Sequence, residues 1–160
     1  MDTYKNVEFI VETLKNKGMT LSAAESCTGG MVSSAVVDYP GASYVFKDGI
    51  VSYAEEAKMK FLGVKSETLE KYSAVSYQTA EEMCRGAALN SNTDIGISTT
   101  GYAGPGGGTE KDPAGTVYIG IYIKGNVFTE RLSLSGTRNE VRQKATQILL
   151  EKLANKISEM

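Results

Sequence analysis

The run from Met19 to Val36 constrains the fold more than any other stretch of the chain. An apolar-leaning segment, Met19 to Ala23, passes through Ala24-Glu25-Ser26-Cys27-Thr28-Gly29-Gly30 into Met31, Val32, Ala35 and Val36, which are spaced as on one helix face. This reads as a strand end, a tight turn and a helix start. The first turn of a helix offers unpaired N–H groups and a partial positive charge, and glycines let a ligand approach the backbone closely. Ser26, Cys27 and Thr28 put hydroxyl and thiol groups at that spot. Ser26 or Thr28 would equally serve as a plain helix cap.

The other elements extend the same pattern. Residues 3–17 read as a helix with Val7, Ile10, Val11 and Leu14 on one face and Gly18 as its stop. The second helix ends near Pro40. Residues 44–53 read as a strand interrupted at Lys47-Asp48-Gly49, followed by a short helix, 54–62, closed by Gly63. Residues 66–72 suggest another helix. Ser76 caps the next, on which Ala80, Met83, Cys84, Ala87 and Ala88 recur at helical spacing; Cys84 reads as a small buried hydrophobe. Ile95 to Thr100 is strand-like. Residues 116–123 and 127–134 form a hairpin around Lys124-Gly125-Asn126. A last helix, 137–157, starts with a capping box of Thr137 and Glu140. Helices separated by strands and closed by an antiparallel hairpin predict an α/β fold, a three-layer α/β/α sandwich with a mixed sheet, in one domain spanning residues 1–160.

Composition narrows the chemistry. The 160 residues include no histidine, so a Ser-His-Asp or Cys-His mechanism within the chain is excluded; a nucleophilic Ser26 needs Lys, Tyr, Asp or Glu as its base. The two cysteines, Cys27 and Cys84, make neither a disulfide framework nor a zinc site, and no metal or organic cofactor is expected. A net charge of -2 argues against a nucleic-acid binder. No apolar run spans a bilayer and the N-terminus lacks a signal-peptide core, so a cytoplasmic protein without membrane association is expected.

Two further features stand out. On the 54–62 helix the apolar stripe is Ala54, Ala57, Phe61 and Leu62, and Lys58 falls inside it. Such a lysine either snorkels to water or sits desolvated with a lowered pKa. Tyr53, at the preceding junction, could present its hydroxyl to the same region. The second feature is the run Gly101-Tyr102-Ala103-Gly104-Pro105-Gly106-Gly107-Gly108-Thr109-Glu110 between two strands. Loops within a domain are usually short, so this one reads as a ligand loop with amides turned toward an anion or carbonyl. It is neither a P-loop nor a Rossmann turn. Arg138 and Arg142, one turn apart where cations oppose the helix dipole, hint at an anionic ligand nearby.

Taken together, Ala24 to Gly30, Thr100 to Glu110 with Pro113-Ala114-Gly115-Thr116-Val117, Tyr53 to Lys58 with Leu62-Gly63-Val64, and Gly136-Thr137-Arg138 with Val141-Arg142 resemble the signatures of the CinA C-terminal domain family in order and spacing. The resemblance covers nearly the whole chain; Tyr102 stands where a small aliphatic residue is usual. It implies a stand-alone nicotinamide-nucleotide amidase that hydrolyses nicotinamide mononucleotide to nicotinic acid mononucleotide and ammonia, in pyridine nucleotide recycling. It further implies that Ser26 is the nucleophile, Lys58 its activating partner and Tyr53 an assisting group. Substrate contacts are then expected from Cys27, Thr28, Gly29 and Gly30, from Thr100, Gly101, Ala103, Gly104, Gly106 and Gly107, and from Arg138 and Arg142, with the two arginines and the glycine loop as candidates for the phosphate. The alternative reading is a catalytically silent nucleotide-binding module with a regulatory or partner-binding role. The apolar hairpin and last helix suggest a homodimer.

Overall fold

The computed structural model describes residues 2–160. Six helices are joined to five strands in the order α1 (Thr3–Lys17), β1 (Leu21–Glu25), α2 (Met31–Val37), β2 (Phe46–Val51), α3 (Glu55–Leu62), α4 (Ser66–Tyr72), α5 (Tyr77–Ser91), β3 (Ile95–Gly101), β4 (Thr116–Ile123), β5 (Asn126–Ser133) and α6 (Arg138–Ser158), with one 3-10 turn at Ala42–Tyr44. The strands lie in the order β2-β1-β3-β4-β5. The first three are parallel, and β4 and β5 run antiparallel. This is an α/β fold with a mixed sheet, as the alternation of elements predicts. Among the described residues no helix is long and apolar enough to cross a membrane.

The period-two alternation of strand side chains divides the core between two faces. Leu21, Ala23, Ile95, Ile97, Val117, Ile119, Ile121 and Leu132 pack against Val7, Ile10, Val11 and Leu14 of α1, Val32 and Val36 of α2, and the Val141, Leu149 and Leu153 face of α6. On the opposite face Ala24 packs with Leu62, Leu69, Met83 and Ala87, while Tyr118 packs with Val75 and Ala80. Where α5 crosses the sheet the facing residues are small, Ala80, Cys84 and Ala88 over Gly96 and Gly120, because helix and sheet lie very close there. A Cβ added at Gly96 would meet the Cys84 carbonyl, and one at Gly120 would meet the Ala80 carbonyl and Cys84 Sγ. Gly86 on α5 gives the backbone of Leu62 the same close approach. That contact seats α3, the helix carrying Lys58.

The interruption at Lys47-Asp48-Gly49 is not a break. β2 runs through it, and its register against β1 shifts between Leu21 and Ser22, paired with Phe46 and Asp48, so Lys47 is the extra residue. A bulge of this kind is tolerated at an edge strand, where polar side chains reach solvent. The stripe on α3 also differs from its sequence reading. Phe61 is exposed, and the buried positions are Lys58 and Leu62.

The chain leaves β1 for β2 on one side and reaches β3 on the other. The carboxyl ends of β1 and β3 therefore flank a reversal of strand order, where open α/β sheets place ligands. Gly86→Ala tests the close contact behind this arrangement. Alanine is intrinsically the better helix former by about 1 kcal/mol. We nevertheless expect a net destabilisation of roughly 1–3 kcal/mol from overpacking, read as a lower urea midpoint at unchanged slope.

Candidate functional site

At the carboxyl end of β1, Glu25 and Ser26 turn to opposite faces of the sheet, and the site follows from that alternation. Glu25, fully buried, points toward the start of α2. Gly30, at the N-cap position, has no side chain to cap this helix. Glu25 does so from the strand: Oε1 accepts from Thr28 Oγ1 (2.6 Å), Gly30 N (3.2 Å) and Val32 N (2.9 Å), and Oε2 from Ser33 N (2.9 Å) and Ser33 Oγ (2.7 Å). One carboxylate thus satisfies amides that a helix start leaves unpaired. Because Thr28 donates its proton to Glu25, its oxygen accepts from Thr99 Oγ1 at 2.7 Å. Ser26 N donates to Thr99 O (3.0 Å), and Gly29 N, at φ +57°, donates back to Ser26 O (3.1 Å). The turn is held rigidly, and neither Glu25 nor Thr99 was among the site residues expected from sequence. The signal for Glu25 is its place five residues before the glycine that stands at the N-cap of α2.

On the other face Ser26 meets Lys58. Lys58 Nζ lies 2.9 Å from Ser26 Oγ, 2.8 Å from Ser52 O and 3.0 Å from Tyr53 O. Lys58 is 1% exposed and Ser26 8%. The lysine does not snorkel; its long side chain is among the largest that the fold buries almost wholly among the described residues. Burial pushes its pKa below the usual 10.5, against the pull of Cys27 and Glu55 in the other direction. The neighbouring Cys27 thiol is raised to about 11, chiefly by its own burial, so at neutral pH it is protonated and a poor nucleophile.

The three partners determine how a neutral Lys58 must orient. A carbonyl oxygen accepts only, so the two protons of a neutral amine are committed to Ser52 O and Tyr53 O. The lone pair is then left for the third partner, Ser26 Oγ. The arrangement makes Lys58 an acceptor for the Ser26 proton when neutral and a donor to Ser26 when charged.

The remaining expected residues divide into two groups. The Tyr53 hydroxyl does not reach Lys58; the ring is exposed and its oxygen accepts from Arg138 Nη2 at 3.1 Å, while the Tyr53 carbonyl holds Lys58. Arg138 also donates to Gly104 O (2.8 Å), tying the start of α6 to the glycine loop at the rim. Arg142 is turned inward, with Nε on Cys27 O (2.9 Å) and Nη2 on Thr28 O (3.0 Å). Thr100 is buried, with its hydroxyl donated to Ala74 O (2.6 Å). Gly101 lies against Thr116 and Val117, where a Cβ would collide with backbone, and Ala103 is buried in the core. Gly106 and Gly107 are exposed.

The glycine loop is braced. Asp112 Oδ1 accepts from Tyr118 Oη (2.8 Å) and Arg131 Nε (3.0 Å), and Arg131 Nη2 reaches Lys111 O (3.1 Å). Gly108 bridges Pro113. These partners come from the hairpin, and sequence spacing does not link them to the loop.

The Lys58 shift has a definite sign. Its folded pKa lies below its unfolded value, so between the two the unfolded chain binds more protons and stability rises with pH. In the window from the depressed pKa up to 10.5, wild type is expected to gain stability relative to Lys58→Met. Paired denaturation curves across that range check it; a constant difference would mean that Lys58 is not desolvated.

The model of the CinA C-terminal domain matches residues 3–157. A CinA-like protein of Kosmotoga olearia is 50% identical over 144 residues, covering 90% of this chain and 35% of that protein. The chain thus spans little more than a third of the length of such curated relatives. The crystal structure of the competence damage-inducible protein A from Klebsiella pneumoniae superposes with a TM-score of 0.95 at 34% identity, covering 99% of this chain and 98% of that one. A competence/damage inducible protein from Agrobacterium tumefaciens gives 0.92 at 36% identity, over 96% and 94% of the two chains. The Ser26–Lys58 pair and its braced turn therefore sit in a fold shared nearly end to end with those structures, and the chain belongs to the CinA C-terminal domain family.

Proposed function

We propose that the protein is a nicotinamide-nucleotide amidase, converting nicotinamide mononucleotide and water to nicotinic acid mononucleotide and ammonia. The observation that carries the reading is the buried Lys58 Nζ, 2.9 Å from Ser26 Oγ, with its other two contacts both carbonyl oxygens. A lysine so held is a base in want of a proton donor, and Ser26 is the hydroxyl it faces. With histidine absent, a serine nucleophile needs another base, and Lys58 is the titratable group within reach of Ser26 Oγ.

In this mechanism Lys58 takes the Ser26 proton as Oγ attacks the carboxamide carbon, forming a tetrahedral intermediate. The oxyanion needs donors. In the nucleophile turn, Ser26 N, Gly29 N and Gly30 N are spent on Thr99, Ser26 and Glu25. The amides of Cys27 and Thr28 donate to no other residue among the described ones, and in this reading they are the oxyanion donors. Protonated Lys58 passes its proton to the departing nitrogen, which leaves as ammonia. Water then attacks the acyl-Ser26 ester, its proton moving to Lys58, and collapse releases the carboxylate and restores Ser26. Arg138, at the exposed rim with no carboxylate partner among the described residues, is the group offered to the substrate phosphate. The contribution of Tyr53 in this reading is its carbonyl on Lys58 and its hydroxyl on Arg138.

Ammonia release from nicotinamide mononucleotide by purified protein tests the reading. Ser26→Ala and Lys58→Ala are each expected to reduce kcat by about 10³-fold or more while the proteins stay folded. Because the neutral amine is the active form, kcat/KM is expected to rise with pH through an inflection below 10.5. Absence of ammonia from folded wild type, with tight nucleotide binding by calorimetry, would replace the amidase by a silent nucleotide-binding module.

A further inference from the structure

Arg142 projects from the second turn of α6 onto the outside of the nucleophile turn. It forms no ion pair among the described residues. Both of its contacts are backbone carbonyls, Cys27 O at 2.9 Å from Nε and Thr28 O at 3.0 Å from Nη2. A Cβ added at Gly29 would lie 3.2 Å from Nη2, so the guanidinium lies close over this glycine. In a trans peptide the N–H points opposite to the C=O. The Ser26 carbonyl is held by Gly29 N, the Cys27 carbonyl by Arg142, and the Thr28 carbonyl by Arg142 together with Met31 N (3.1 Å). Three consecutive peptide planes are therefore fixed from one set of carbonyls. The N–H groups of Cys27 and Thr28, on the far sides of the first two planes, stay unspent.

We infer that Arg142 is a positioning residue: its fork fixes the peptide planes that carry the Thr28 and Gly29 amides, and through Gly29 N on Ser26 O it steadies the plane of the Cys27 amide; it does not hold the substrate phosphate. The inference rests on the reading of Ser26 as an acyl-transfer nucleophile. Two parallel N–H donors on adjacent carbonyls suit the rigid planar fork of arginine and not the single ammonium of lysine. The positive charge also stands behind the turn, where it adds to the potential felt by an oxyanion. Arg138 differs: it is itself exposed, and although one contact is the carbonyl of the buried Gly104, the other is the hydroxyl of the exposed Tyr53, which leaves it open to an arriving anion.

The test uses Arg142→Lys and Arg142→Met beside wild type, with Ser26→Ala as the blank and thermal unfolding as the check on folding. Each is treated with a fluorophosphonate, which phosphonylates an activated serine with loss of fluoride and needs the same oxyanion donors. Intact mass reads the rate of modification at Ser26. With nicotinamide mononucleotide, kcat and KM are measured separately. Both variants are expected to label about 10²-fold more slowly, the cost typical of losing one oxyanion donor. They should lose kcat in proportion, with KM unchanged, and millimolar guanidinium should restore part of the labelling rate of Arg142→Met. A raised KM with kcat and labelling intact would overturn the inference and return Arg142 to the phosphate. Labelling at the wild-type rate in a folded variant would overturn it as well. Wild type that labels at Ser26 but releases no ammonia would remove the nicotinamide reading alone, and labelling would then decide the role of Arg142. Wild type that neither labels nor releases ammonia would overturn both.

Discussion

The amine of Lys58 is the constraint around which the site is arranged. A charged lysine in a dry interior is costly unless every proton finds an acceptor. Here three oxygens surround it, two from the backbone just beyond β2 and one from Ser26. Those acceptors are enough to keep the side chain buried but not to cancel the desolvation, which is why the net effect on its pKa is downward. The same geometry that makes burial tolerable also aims the lone pair of the neutral form. Stability is given up at Lys58 to the extent that the charged form is penalised, and reactivity at Ser26 is what the arrangement favours.

Two other parts of the fold serve that contact. α3 sits close enough to present Lys58 because α5 carries Gly86 under Leu62, and α5 sits close to the sheet because β3 and β4 carry Gly96 and Gly120 beneath it. On the opposite face, Glu25 closes the start of α2, so Ser26 is held between a capped helix and a strand. Arg142 and Thr99 fix the turn from α6 and β3. The nucleophile turn is thus gripped from four elements, while the rim at Tyr53, Gly106 and Gly107 remains exposed.

Much of this was legible in the residues. The α/β alternation, the capping box at Thr137 and Glu140, the burial of Cys84 and the anomaly of a lysine on an apolar stripe follow from local periodicity and spacing. The strand at Lys47 to Gly49 was less so, because polar residues read as a break until the segment is known to be an edge strand with a bulge. Phe61 is exposed for a related reason: helical spacing defines a stripe, but which edge of the stripe meets the core depends on how α5 packs against it.

Sequence by itself determined the inventory and the local elements: no histidine, a serine in a strand-to-helix turn, a lysine in a buried register, and glycines where backbones must meet. Helical and strand periods act over a few residues, so a single chain carries them openly. Only the tertiary structure decided which oxygens surround Lys58, that Glu25 and not Ser26 caps α2, that Tyr53 reaches Arg138 and that Arg142 turns inward to the backbone. Each of these joins side chains or carbonyls to groups set by strand order and helix seating. Arg142 is separated from Cys27 by more than a hundred residues of chain, and no local spacing encodes the strand order that brings them together.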